Sequence, residues 1–390
     1  MSVHPDLHQH YVLVCQNVGR PEHPFIAHVL QEADKNDKIR RTKGMTLKIA
    51  GNNHLVPVQR ITGDDLQVLA SVLCSTVFVT GLDLRCNVLA DAGAKHMAAF
   101  LQRNESLVYL RMTGNKIGNK GGMSFASMLE INSTLEKLDL GDCDMGMQCL
   151  IAIATALTQN KSVKAINLNR PLLYSQEEET TVHIALMLKS NSSLVELHLC
   201  KHEMKNFGVE RLCEALYENS SLRYLDLSCN KITHDGVKFL GELLKRNQTL
   251  EILDLNANRI EDDGANYLSE ALALYNRTLQ ALSVVSNNIS GKGLVALSSA
   301  MKSNIELSYI YIWGNKFDAA TCVAFSELIQ TGRLKPNCTD VEPYEVDGHV
   351  YLAELSHGLQ KHYYWTPSCG EETNQDANAS LAITAVSEYL

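Results

Sequence analysis

The chain contains no run of 18 consecutive apolar residues, which excludes an ordinary transmembrane helix from the reading. Its first twenty residues, MSVHPDLHQHYVLVCQNVGR, lack the long apolar core of a signal peptide, so an intracellular protein is expected. Positive charge is the minority sign: 35 Lys and Arg against 44 Asp and Glu leave a formal net charge of −9. Phosphate binding asks for clustered Lys and Arg, so no direct nucleic-acid partner is expected, and an acidic surface favours proteins with basic surfaces. Cysteine is present without a disulfide framework. There are 11, an odd number, scattered along the chain, which reads as free thiols in a reducing compartment. Motifs that carry chemistry are missing too. There is no P-loop, zinc finger or Gly-x-Ser-x-Gly elbow, and Gly291-Lys292-Gly293 reads as a turn before a helix. No enzyme activity, cofactor or membrane span is expected.

What the chain has instead is periodicity. The first apolar position of each unit falls at Val79, Leu107, Leu135, Val163, Leu194, Leu222, Leu250, Leu279 and Leu307, spaced 28, 28, 28, 31, 28, 28, 29 and 28 residues apart. Self-similarity at this period means a solenoid, in which each unit buries its apolar face by stacking on its neighbours. In the clearest copy, LRYLDLSCNKI from Leu222 to Ile232, Leu225 and Leu227 alternate with polar residues, the signature of a strand with one buried face. Asn230 then turns the chain, and Asn87, Asn115, Asn258, Asn287 and Asn315 are its equivalents. A glycine follows at Gly93, Gly121, Gly208, Gly236, Gly264 and Gly293, where a helix start packs tightly or the backbone needs unusual dihedrals. Apolar pairs four apart, such as Met97 and Leu101 or Leu240 and Leu244, then predict one buried helix face. Each helix ends at an asparagine, among them Asn132, Asn160, Asn191, Asn219 and Asn304, which is expected to adopt the left-handed conformation of a helix C-terminus.

Strand, turn, helix and turn in 28 to 29 residues resembles the ribonuclease-inhibitor-like class of leucine-rich repeats from about Val79 to Gly332. The resemblance implies an α/β fold: a horseshoe solenoid with parallel strands on the concave face and helices on the convex face. KGMTLKIAGNN, with Leu47, Ile49 and Asn52, is expected to be an earlier unit. Residues 1–43, with the helix-like HPFIAHVLQEADKNDKIRR, read as a helical N-terminal cap to a solenoid over 44–332. A C-terminal cap is expected over 333–367, with a hairpin turning at Asp347-Gly348, and a polar tail over 368–390. The fourth repeat is irregular. Pro171 replaces its turn asparagine, and three residues are inserted around LLYSQEEET, so a surface loop is expected before a helix whose start is solvated by Glu177, Glu178 and Glu179.

Three further stretches, KIAGNNHLVPVQRIT at 48–62, VFVTGLDLRCNVLADAG at 77–93 and VDGHVYLAELSHGLQKHYYWTP at 346–367, resemble the leucine-rich repeat-containing protein 34 family. The last is the most specific, because no repeat requires it. The resemblance implies a non-catalytic intracellular protein that works through partners, compatible with assembly of a cilium or flagellar axoneme, or with a nucleolar role linked to ribosome assembly. It carries over no catalytic motif.

A partner is expected on the strand residues that lie between the leucines. Asp226 and Asp254 sit one strand apart with Asp139 in the same row, and a basic ligand would relieve their repulsion. Tyr224 lies beside them. Tyr309, Tyr311 and Trp313 alternate along one strand, so their rings are expected to project together as binding anchors unless a cap folds over them. His198, Cys200 and His202 in HLCKH have the alternation of a zinc site, but read more simply as strand-face residues, with His202 standing where a turn asparagine would be. The expected function is a protein-binding scaffold in a multi-protein intracellular assembly. Fold analogy offers an alternative, an occluding inhibitor of a basic enzyme.

Overall fold

The computed structural model describes residues 6–35, 44–54, 56–174, 178–355 and 383–385. The chain divides into two compact units, Met1–Leu172 with Gly370–Leu390, and Leu173–Cys369. In the first unit β1 (Met45–Lys48), β2 (Val79–Asp83), β3 (Tyr109–Arg111), β4 (Lys137–Asp139) and β5 (Ala165–Asn167) lie parallel in chain order. Their register is one repeat: Leu82 pairs with Leu110, Leu110 with Leu138, and Leu138 with Ile166. The short strand Ile383–Ala385 adds antiparallel to β1. The second unit carries β6 (Glu196–His198), β7 (Tyr224–Asp226), β8 (Ile252–Asp254), β9 (Ala281–Ser283) and β10 (Tyr309–Tyr311), again parallel and in order. Strands of three residues suffice because each is held by the next repeat.

A helix separates each strand from the next. Met97, Leu101, Phe125, Leu129, Leu240, Leu244, Leu268 and Leu272, all predicted from the four-residue spacing, are fully buried between the strands and the helices of their own unit. Burying one such side chain stabilises the fold by about 1.5–3 kcal/mol, so the stacked apolar layer is the main driving force.

The asparagines hold the repeats to one another. Asn258 Nδ2 donates to Leu255 O in its own repeat and to Leu227 O in the repeat before, both at 3.0 Å, while its Oδ1 accepts from Ile232 N–H at 3.1 Å. The helix-end asparagines do the same job differently from the expectation. Asn160 (φ −67°), Asn191 (φ −78°) and Asn304 (φ −101°) are not left-handed. Their amides are what the position requires: Asn219 Nδ2 donates to Leu188 O and Asn191 O of the preceding repeat, and Oδ1 accepts from Ser221 and Leu222 N–H. A buried amide making four bonds satisfies backbone groups that the change from helix to strand would leave without partners.

The repeated glycine has a packing reason. A Cβ on Gly121 would meet Ile117 Cγ2 and the Cβ of Ala94 one repeat earlier, the latter at 2.7 Å. Helix starts are also capped from the neighbouring repeat. Asn119 Oδ1 accepts from Gly146 N–H, Asp262 Oδ1 accepts from Ser290 and Gly293 N–H, and Glu178 Oε1 accepts from Lys205 and Gly208 N–H. Glu178 is therefore more than a solvated residue at its own helix start.

Three local details go beyond the sequence reading. Asn52 stands in solvent, and Asn87 of the following repeat instead binds Ile49 O and Ile61 N–H across the longer link. At the irregular repeat Pro171 offers no amide, and Leu172 N–H reaches Met145 O at 2.8 Å; residues 175–177 of the insertion lie outside the described residues. Before the expected helix (Pro24–Lys35) there is a second one, Leu7–Asn17, which places Leu7, Tyr11 and Cys15 in the core and whose first amides donate to Asp34. Leu7, Tyr11 and Cys15 carry the four-residue spacing of a helix, but the unbroken apolar run from Tyr11 to Cys15 obscures it.

After the last repeat helix (Ala319–Gln330), β11 (Val341–Val346) and β12 (His349–Glu354) form an antiparallel hairpin that packs on that helix. Asp347 (φ 51°) and Gly348 (φ 75°) are both left-handed, the turn that matches the twist of a two-residue hairpin. The YYW segment at 363–365 and the polar tail up to residue 382 lie outside the described residues.

Candidate partner-binding face

In the second unit the strand-face residues pack on one another. Adjacent strands lie about 5 Å apart, so a side chain on one strand touches its equivalent 28 residues away. Tyr224, Ile252, Ala281 and Tyr311 form one buried cluster, with Val285 and Tyr309 packed against it. Next to it is an ionic cluster. The His198 ring bonds Glu196 Oε1 through Nε2 and Asp226 Oδ2 through Nδ1, the latter at 3.2 Å, and lies 4.9 Å from the Tyr224 ring. Asp254 pairs in register with Asp226. The Glu196, His198, Tyr224, Asp226, Asp254 and Tyr311 side chains are buried, which corrects the expectation of solvent-facing residues at Tyr224, Asp226, Asp254 and Tyr311.

Burial disfavours a charged imidazole, but the Glu196 and Asp226 carboxylates outweigh it and hold the His198 pKa at about 10. Burial is the largest single influence on the Asp226 carboxylate and opposes it, yet the hydrogen bond and charge of His198 together with the hydrogen bonds from Ser228 outweigh it, and its pKa is lowered. Asp254 has no such partner. Burial, then the charge of Asp226, push its pKa well above the carboxylate range. The repulsion that suggested a basic ligand is thus met internally by the His198 imidazolium, and burial beside Asp226 favours the neutral form of Asp254.

Asp139 belongs to the first unit and is neutralised there. Arg111, 1% exposed, has Nε 3.3 Å from Asp139 Oδ2 and Nη1 3.8 Å from Asp83 Oδ2. Asp139 is thus an arginine-paired carboxylate of the first unit.

The aromatics at the last strand divide. Tyr311 is buried, while Tyr309 and Trp313 are half-buried, with Trp313 edge-on to Phe317 at 5.7 Å. The segment after the last helix meets this edge: Asp340 accepts from Ile312 and Trp313 N–H at 2.9 and 3.0 Å, and Cys338 bonds the Tyr309 hydroxyl. A stacked pair, Tyr344 and Tyr351, is exposed on the hairpin.

His198 spends both ring nitrogens on carboxylates, which leaves neither for a metal shared with Cys200 and His202. Among the described residues no three His, Cys, Asp or Glu side chains are placed to hold a metal ion, and no helix is long and apolar enough to cross a membrane. The His198 cluster has a signal in the sequence that only the stacking of repeats gives meaning: Glu196 two residues before a strand histidine, and an aspartate one repeat after it.

Comparison with known proteins fits the repeat geometry. A leucine-rich repeat model matches residues 103–126, 132–154, 218–241, 246–269 and 275–298. Mouse (Mus musculus) leucine-rich repeat-containing protein 34 is 54% identical over 412 residues, covering 98% of this chain and 99% of its own length. The chain belongs to the leucine-rich repeat-containing protein 34 family. The human (Homo sapiens) member is 56% identical over 410 residues, covering 98% of this chain and 88% of its own. Pig (Sus scrofa) ribonuclease inhibitor is 28% identical over 132 residues, 34% of this chain and 22% of its own. The family's name denotes a repeat protein, and leucine-rich repeats point to protein binding.

Proposed function

We propose that this protein is a non-catalytic scaffold that holds other proteins in a larger intracellular assembly, and that the assembly is the axoneme of a cilium or flagellum. Membership of the leucine-rich repeat-containing protein 34 family is the observation that supports the reading. The contact is placed at the end of the second unit. There Tyr309 and Trp313 keep part of their surface in solvent, over a floor of Tyr224 and Tyr311 with the Asp226 and Asp254 cluster beside it. Half-exposed aromatic rings anchored by a rigid floor concentrate binding energy, because they lose little freedom on contact.

The test is proximity labelling in ciliated cells, with wild type beside a Tyr309→Ala, Trp313→Ala variant whose folding is checked by circular dichroism. Replacement of the buried Asp226 and Asp254 would confound binding with folding. Axonemal neighbours that fall by about tenfold in the folded variant, as expected for loss of an aromatic anchor, support the proposal. A nucleolar set of neighbours overturns the axonemal assignment. Neighbours indifferent to the substitutions overturn the placement of the contact.

A further inference from the structure

Two thiols meet on neighbouring turns of the second unit. Cys200 follows β6 and Cys229 follows β7, and their side chains hydrogen-bond to one another. Lys201 N–H donates to Ser228 O at 3.2 Å, so the two turns run side by side. The Ser228 hydroxyl bonds both sulfurs, and the Lys201 ammonium places positive charge near Cys229. Both cysteines are half-buried, unlike Cys143, Cys149 and Cys213, which the core encloses. All ten cysteines among the described residues are reduced.

We propose that Cys200 and Cys229 are a hydroperoxide-sensitive pair that closes to a disulfide between adjacent repeats. The Cys229 thiolate attacks a peroxide oxygen, the O–O bond breaks, and hydroxide leaves and takes a proton, giving a sulfenic acid on Cys229. The Cys200 sulfur then attacks the Cys229 sulfur. The S–O bond breaks, the Cys200 proton leaves with the hydroxide as water, and the S–S bond forms. Two thiols are oxidised and one hydrogen peroxide is reduced to two waters.

The asymmetry of the pair sets the order. The hydrogen bond from Cys200 is the largest influence on Cys229 and lowers its pKa to about 6, while the same contact and burial push Cys200 upward. Cys229 is then the more readily ionised of the two thiols, and because nucleophilicity falls with pKa its advantage in attack rate is small. The pair is therefore distinguished by its product more than by its rate: a resolving thiol is already in contact, so the sulfenic acid is consumed before it oxidises further.

Full-length reduced protein is treated with one equivalent of hydrogen peroxide in the presence and absence of a cyclic 1,3-dione that traps sulfenic acids, and its peptides are mapped by mass spectrometry. The expected product is a Cys200–Cys229 cross-linked peptide with little trapped adduct. In Cys200→Ser the adduct on Cys229 should rise at least tenfold, and in Cys229→Ser neither product should form at these positions. Equal trapping in wild type and Cys200→Ser, or both thiols still alkylated after peroxide treatment, would overturn the proposal.

Discussion

Replacing His198 with glutamine tests the ionic cluster most directly. Gln keeps much of the volume and one hydrogen bond but removes the cation between Glu196 and Asp226, beside Asp254, all of them buried. Removing one partner of a buried ion pair costs about 3–5 kcal/mol, because the remaining charge has neither water nor counter-charge. A second route gives a similar size. Raising a histidine from 6.5 to about 10 on folding corresponds to about 5 kcal/mol at most, at 1.36 kcal/mol per unit. The sign follows from proton uptake. A folded-state pKa above the unfolded one contributes fully below pH 6.5, and that contribution is lost as pH rises to about 10. Asp254, also raised, acts in the same direction, with its loss starting near the ordinary carboxylate value. Urea unfolding from pH 6 to 10 should therefore show wild-type stability falling across this range. His198→Gln should be less stable by about 3–5 kcal/mol at pH 6 and flatter with pH. A variant that also carries Glu196→Gln and Asp226→Asn should recover most of the loss. A variant as stable as wild type at pH 6, or a wild type whose stability does not change with pH, would refute a charged His198.

Further predictions concern the ladders. Asn219→Ala should cost about 2–4 kcal/mol in thermal or urea unfolding, because it strands four backbone groups at a buried repeat junction, whereas Asn52→Ala, in solvent, should stay within about 0.5 kcal/mol. Gly121→Ala should destabilise by about 1–3 kcal/mol through its clash with Ile117 and Ala94 of the preceding helix, and Ala94→Gly in the same chain should return part of it. Asp340→Ala leaves the Ile312 and Trp313 amides without their acceptor; it should cost about 1–3 kcal/mol and raise hydrogen exchange at those two amides ahead of their neighbours.

The repeat period, the strand leucines, the four-apart helix pairs and the turn asparagines were legible in the chain, because each follows from a spacing within one unit. The Asp347-Gly348 hairpin was legible for the same reason, since a two-residue turn with two left-handed positions leaves few residue choices. What escaped were relations between units. The helix-end asparagines are conserved in spacing by the bonds they send to the preceding repeat and not by their own backbone conformation. Glu178 and Asp262 cap helices one repeat ahead of themselves. Tyr224, Asp226 and Asp254 look free for binding on one strand, yet are closed off by partners 28 residues away. A linear reading sees alternation along a strand. Only stacking sets the 5 Å spacing across strands, and at that distance a row of polar side chains becomes a buried network whose charges answer one another.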